Sequence, residues 1–261
     1  MDHTFWHKQM PDKPLFPDLL WSRPENKRHA GKLLIVGGNA HGFSAAAEAY
    51  QAATSAGIGT ARVLLPDSLQ KTVGRVFAVG EYAPSTPSGS FAVNALAELL
   101  DMSAWADGTL LAGNLGRNSE TAILLEKFID KYKGILVLTD DAADYFIKSP
   151  KTSATNQQLL LVLSFEQLQK LAVSTHFDKA FTSNMDFLHL IEALHEFTKS
   201  CQLHIIIKHL DTTFVAVNGQ VSTSKLQVVE SRSPISSAAQ ASVWLLQNPT
   251  KPFEALTTSL L

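Results

Sequence analysis

Several short stretches of this chain carry residue types and spacings suited to holding an anion. In "AGNLGRNSE" (112–120), Gly113, Asn114 and Gly116 make a tight loop, and Arg117 offers a two-pronged donor to phosphate. A helix start follows directly, which adds its own partial positive charge. The same arginine also suits a plain turn in which it pairs with a surface acid. In "GGNAHGFS" (37–44), Gly37, Gly38 and Asn39 close an apolar run, and Gly42 precedes a helix. Glycines there let backbone N–H groups approach an anion, but they equally serve chain geometry alone. The spacing is neither a dinucleotide fingerprint nor a P-loop.

Carboxylates and a lysine complete the set. Asp140, Asp141 and Asp144 cluster in "TDDAAD" (139–144), where they can hold Mg²⁺ through water, orient a hydroxyl, or simply start a helix. Lys208 ends the run "IIIK", with His209 and Asp211 behind it; its ammonium reaches a phosphate or snorkels to water. The stretch "VVESRSPISSAAQASVWLL" (228–246) leads a small-residue turn into an apolar helix, yet no acid stands at the helix start. His189 and His195 are not spaced for one helix face and, with Glu192 and Glu196, read as a solvated side, so no metal centre is expected. The chain contains no nucleophile elbow, paired-cysteine motif or kinase catalytic loop.

The elements that position these residues alternate. Strands are expected at 32–38, 60–66, 109–113, from 134, at 159–164 and at 203–209. Helices are expected at 43–57, 91–106, 118–132, 166–172 and 184–200, with Asn118 or Ser119 capping the third. Asn218-Gly219 between alternating runs predicts a hairpin. This order implies an α/β fold with a mostly parallel sheet covered on both faces, and one domain over 29–261. Residues 1–28, with Pro11, Pro14, Pro17 and Pro24, read as an irregular arm whose Phe5, Trp6, Phe16, Leu19, Leu20 and Trp21 pack on the domain or on a neighbouring subunit. Ligands of such sheets sit beyond the C-terminal strand ends, where the stretches above fall.

Composition limits the function classes. Hydrophobic residues make up 45% of 261, enough for a sizeable core. With 22 basic and 24 acidic residues, the net charge of −2 offers no footprint for nucleic acid or an anionic membrane. No run approaches the ~20 apolar residues of a membrane span, and the prolines of the N-terminus do not fit a signal peptide. The single cysteine, Cys201, fits a buried small residue in a reducing cytoplasm.

Taken together and in order, these stretches resemble the ATP- or ADP-dependent NAD(P)H-hydrate dehydratases, a branch of the ribokinase-like superfamily. The likeness runs from about Lys27 to Ala255 and rests on "KRHAGKLLIVGGNAHGFSAAAEAYQAATSAGIG", "AGNLGRNSET", "LVLTDDAADYF", "IIIKHLDTTFVAVNGQV" and "QNPTKPFEAL". The resemblance implies a ribokinase-like three-layer α/β/α sandwich that binds ATP or ADP with Mg²⁺, and NAD(P)H or its hydrate as a further ligand. By the same likeness Gly37, Gly38, Asn39, Asn114, Gly116, Arg117 and Lys208 fall at binding positions. A homo-oligomer, or an assembly with an intact paralogue, is implied as well.

The departures from the family pattern bear on catalysis. The family's Gly-Thr-Gly-Asp turn supplies amides for developing negative charge and an aspartate as base. Here "SPIS" (233–236) falls there: Ser236 stands at the aspartate position, both glycines are gone, and Pro234 removes a donor. Thr139 replaces one aspartate of the strand-end motif while Asp141 keeps the other, and Asp144 stands for an asparagine. The family's Thr-Pro-His-Pro-Gly-Glu loop shrinks to "VLSFEQ" (162–167), His209 replaces a glycine, and the chain stops before the final helix would be complete. Losing a base costs about 10²- to 10⁴-fold in rate. A nucleotide-binding relative with impaired or altered catalysis is therefore expected. The alternatives are an active dehydratase using Asp141 or Asp211 as base, and a non-catalytic subunit.

Overall fold

The computed structural model describes residues 4–10, 12–75, 77–150, 158–225 and 232–261. Pro11 and residues 228–231, part of the stretch leading into the last long helix, lie outside the described residues.

The strands form from apolar runs at the centre of the sheet, where burial on both faces suits them, and from more polar segments toward its edges. They are β1 Trp6–Gln9, β2 Lys32–Gly37, β3 Thr60–Pro66, β4 Gly80–Ala83 and β5 Gly108–Gly113. Beyond these follow β6 Ile135–Thr139, β7 Leu159–Leu163, β8 His204–His209, β9 Thr212–Val217 and β10 Gln220–Lys225. They form one 10-stranded sheet in the order β1-β10-β9-β8-β7-β6-β5-β2-β3-β4. Every neighbouring pair is parallel except the two made by β9. The Asn218-Gly219 turn joins β9 to β10 with both residues at positive φ, 49° and 80°, as a tight hairpin turn requires.

Helices cover both faces. They are α1 Pro17–Trp21, α2 Ser44–Ser55, α3 Gln70–Val73, α4 Leu96–Trp105 and α5 Ser119–Lys131, then α6 Asp140–Lys148, α7 Phe165–Ser174, α8 Phe187–Cys201, α9 Pro234–Gln247 and α10 Pro252–Thr258. Within β2 the pleat sends Leu33 and Ile35 into a core shared with α2, α9 and α10. Leu34 and Val36 enter the opposite core, made with α4 to α8. This is the three-layer α/β/α sandwich. No helix among the described residues is long and apolar enough to cross a membrane.

The N-terminal segment differs from an irregular arm. Residues 6–9 add β1 as a parallel strand beside β10, and Pro17 sits in the first turn of α1, where its missing N–H costs nothing. Trp6 donates to Thr223 Oγ1 at 3.0 Å and meets Phe187 edge-on at 5.5 Å. His195, expected on a solvated side, lies half-buried under Phe5, which stacks on it at 3.9 Å. The acids of "TDDAAD" follow β6 with no intervening turn and open α6 directly.

Trp6 keeps part of its surface in water, so Trp6→Ala is expected to cost about 2 kcal/mol, below the range for fully buried aromatics. Urea denaturation measures this, and a loss under about 0.5 kcal/mol would mean that β1 contributes little.

Candidate functional site

The site is built where β2 and β5 end. Their last residues approach so closely that a Cβ on Gly37 would lie 2.6 Å from the Gly113 carbonyl oxygen. Gly38 N–H donates to that same oxygen at 3.1 Å. Gly37 is thus required by backbone packing between neighbouring strands, while Gly38 and Gly113 sit at positive φ, 96° and 108°.

From this point the chain leaves the sheet in opposite directions. β2 feeds α2 on one face and β5 feeds α5 on the other. That is the arrangement in which open parallel sheets form a ligand crevice. Here the crevice is laced by asparagines. Asn39 Nδ2 donates to the Asn114 carbonyl at 2.7 Å. The Asn114 side-chain oxygen accepts from Ala45 N–H at 2.9 Å and from Ser44 Oγ at 3.0 Å. The start of α2, where the sequence left an anion loop and plain chain geometry both open, already holds a neutral amide oxygen.

The loop after β5 is fixed from below by α6. Asp141 Oδ2 accepts from Leu115 N–H at 2.9 Å and Gly116 N–H at 3.2 Å. Tyr145, one turn further along α6, donates to the Gly116 carbonyl and accepts from Asn118 N–H at 3.2 Å. Asn118 then caps α5 through Glu120 N–H at 2.8 Å. The other oxygen of Asp141, Oδ1, is buried with no hydrogen-bond partner. Burial first, and the Asp140 charge second, push the Asp141 carboxyl up from 3.8 to about 6 despite the two amides.

Arg117 projects exposed from this braced loop into a cleft of about 600 Å³. Asp141, Asp144, Tyr145, Lys148 and Lys170 line the same cleft. Asp144 is held by Gln167 Nε2 at 3.0 Å, and Lys170 pairs with Glu166 at 2.6 Å. Positive groups at the rim and carboxylates at the floor suit a phosphate bearing a hard cation. Asn118 and Gln167 take part in this bracing although the sequence singled out neither for it; the Ser164–Gln167 capping box is the readable sign of the second.

The remaining candidates lie elsewhere. Lys208 lines a small cavity of about 70 Å³ with Arg232, Pro234 and Ser237, at the ends of β7 and β8. Asp211 sits in the exposed β8–β9 turn and pairs with Lys225 at 3.4 Å. Ser236 lies in the first turn of α9 with its hydroxyl donated to Glu48 Oε1 at 2.7 Å. The chain thus brings Asn39, Asn114, Gly116, Arg117 and Asp141 together and leaves Lys208 and Ser236 apart from them, beside the first turn of α9. Cys201 is buried, its thiol pushed up to about 11 by desolvation.

Strand order, layers and this strand-end crevice define a ribokinase-like fold, and comparison with solved structures agrees. A ribokinase-like superfamily protein from Enterococcus faecalis superposes with a TM-score of 0.74 at 14% identity, covering 100% of this chain and 87% of that one. The ADP/ATP-dependent NAD(P)H-hydrate dehydratase of Bacillus subtilis, co-crystallised with ATP and Mg²⁺, gives 0.65 at 12% identity, covering 96% and 87%. Staphylococcus aureus pyridoxal kinase in complex with AMP-PCP and pyridoxal gives 0.52 at 14%, covering 88% and 84%. No protein-family model matches the chain, and no curated protein matches it in sequence.

The raised Asp141 carboxyl has a consequence for stability. Between pH 3.8 and about 6 the folded chain retains a proton that the unfolded chain has released. The contribution of Asp141 to stability therefore falls as pH rises through that window. Asp141→Asn is expected to flatten this part of the curve in urea melts across pH 3 to 8; a slope identical to that of the parent chain contradicts the assignment.

Proposed function

We propose that the protein binds ATP or ADP in the cleft beside Arg117, with phosphoryl-transfer chemistry that is impaired or redirected. The observation that carries the reading is the braced loop 113–118. Asp141 and Tyr145 fix its backbone from α6, so the Arg117 guanidinium projects from a rigid base into a cleft wide enough for a polyphosphate. The ATP/Mg²⁺ and AMP-PCP complexes of similarly folded proteins support a nucleotide as the ligand.

Mg²⁺ fits these residues. No group of three or more His, Cys, Asp or Glu side chains gathers as a metal site among the described residues. Mg²⁺ that arrives with a nucleotide needs only one or two carboxylates besides phosphate and water. The unpartnered buried Oδ1 of Asp141 and the carboxylate of Asp144 face that role. When bound, the ion neutralises charge on phosphoryl oxygens.

Impaired chemistry is supported by the start of α9. Pro234 offers no N–H, Ser236 N–H is taken by Ser233 Oγ at 3.0 Å, and the Ser236 hydroxyl cannot serve as a base at neutral pH. A reduced nicotinamide dinucleotide, or its hydrate, is the second ligand of this reading.

Isothermal titration tests it. Mg-ATP or Mg-ADP is expected to bind in the micromolar range, and Arg117→Ala to weaken binding by at least about tenfold through loss of a two-pronged contact. NADH hydrate supplied with ATP is expected to give no recovery of NADH absorbance. Unchanged affinity in Arg117→Ala contradicts the proposed site, and steady recovery of absorbance contradicts the impaired chemistry.

A further inference from the structure

α5 and α6 follow the neighbouring parallel strands β5 and β6 and pack into the same core, through Phe128 and Ile129 of one helix and Phe146 and Ile147 of the other. The seam between them does not close. Ala122, near the start of α5, and Ser149, just past the end of α6, are too small to fill the space, and a recess of about 180 Å³ remains. From α5 it is lined by Ala122, Leu125 and Ile129, which the spacing i, i+3, i+7 places on one helix face. From α6 come Tyr145 and Phe146. The exposed Glu126 and Ser149 make its rim.

The recess continues the Arg117 cleft. Ala122, Tyr145 and Lys148 line both. A molecule seated beside Arg117 thus has room to extend along α5 from Ala122 to Ile129, a rise of about 10 Å. The chemistry changes along that path. The cleft presents Arg117, Lys170 and two aspartates, whereas the recess presents Leu125, Ile129 and Phe146. Tyr145 stands at the junction: its hydroxyl braces the loop through the Gly116 carbonyl, and the Lys148 ammonium lies 5.4 Å from its ring centroid. A polar, charged chamber joined to an apolar one suits a ligand with a charged tail and a flat, weakly hydrated ring.

We propose that the recess between α5 and α6 takes the adenine ring of a nucleotide whose phosphates meet Arg117. The inference rests on the nucleotide reading and adds to it the place of the base. Leu125, Ile129 and Phe146 supply apolar contact, and Tyr145 an aromatic face, so the ring is held by burial and stacking. The ring then contributes affinity that the phosphates alone do not.

The test titrates the full chain by calorimetry with Mg-ATP and, in parallel, with Mg-tripolyphosphate, which keeps the phosphates and lacks the ring. The parent is expected to bind Mg-ATP at least about tenfold more tightly, the scale of stacking one base on an aromatic side chain. Ser149→Trp fills the recess from an exposed position that does not line the Arg117 cleft. It is expected to bring Mg-ATP down to the affinity of tripolyphosphate and to leave tripolyphosphate itself unchanged. Glu126→Trp, likewise exposed and outside the cleft, carries the same prediction should the first variant fold poorly by circular dichroism. Equal affinity of the parent for the two ligands overturns the proposal and leaves a phosphate site at Arg117 standing. A preference for Mg-ATP that survives a folded recess-filling variant also overturns it, because the base then lies elsewhere. Binding of neither ligand by the parent rejects the nucleotide reading and the ring site together.

Discussion

The close passage of β2 against β5 at their C-terminal ends is the constraint on which the rest depends. Two parallel strands that diverge to opposite helix layers must bring their last residues together without side chains, because a Cβ on Gly37 would meet the Gly113 carbonyl oxygen. The register between them shifts at that point, with Gly37 opposite Gly113 after Val36 opposite Leu111. Everything that follows in the two loops answers the consequences. The freed backbone groups of 38–45 and 113–118 need partners away from the sheet ladder. They find them in Asn39, Asn114, Asp141 and Tyr145.

Those partners explain why the molecule keeps the frame of a ligand-binding fold while presenting few open helix termini. The start of α2 holds the Asn114 oxygen, the start of α5 holds its own Asn118, and the start of α9 holds Ser233 together with the Glu48 carboxylate. Each contact satisfies donors that would otherwise face a ligand. What stays open is the side-chain face of the second loop, Arg117 and the carboxylates beneath it. Under the proposed function, recognition falls to one guanidinium and the acids of α6 instead of backbone amides.

Much of this was legible in the sequence. Runs such as "LLIV" and "III", short, rich in β-branched residues and bounded by charge or glycine, suit a doubly covered strand, and Asn218-Gly219 marks the hairpin between β9 and β10. The crowding of glycines, Arg117 and Asp141 near the strand ends was readable from order alone. Other features were not. β1 is four residues, "WHKQ", whose pairing with β10 is decided by a sheet edge far away in the chain. The division of roles among Asp140, Asp141 and Asp144 depends on which carboxylate reaches the amides of Leu115 and Gly116, a matter of helix phase. The contact of Glu48 with Ser236 is not legible either, because a lone acid on an alanine-rich helix looks like a solvated position until α2 is packed along α9. Its isolation among buried alanines was the available signal.

Under the proposed function the Arg117 loop, and not the α9 turn, receives the phosphates of a bound nucleotide. A crystal structure of the chain grown with AMP-PCP and Mg²⁺ addresses it directly. Phosphate density is expected within hydrogen-bonding distance of the Arg117 guanidinium, with the Glu48–Ser236 contact intact. Phosphates seated on the amides of α9, with Glu48 swung away, would contradict it.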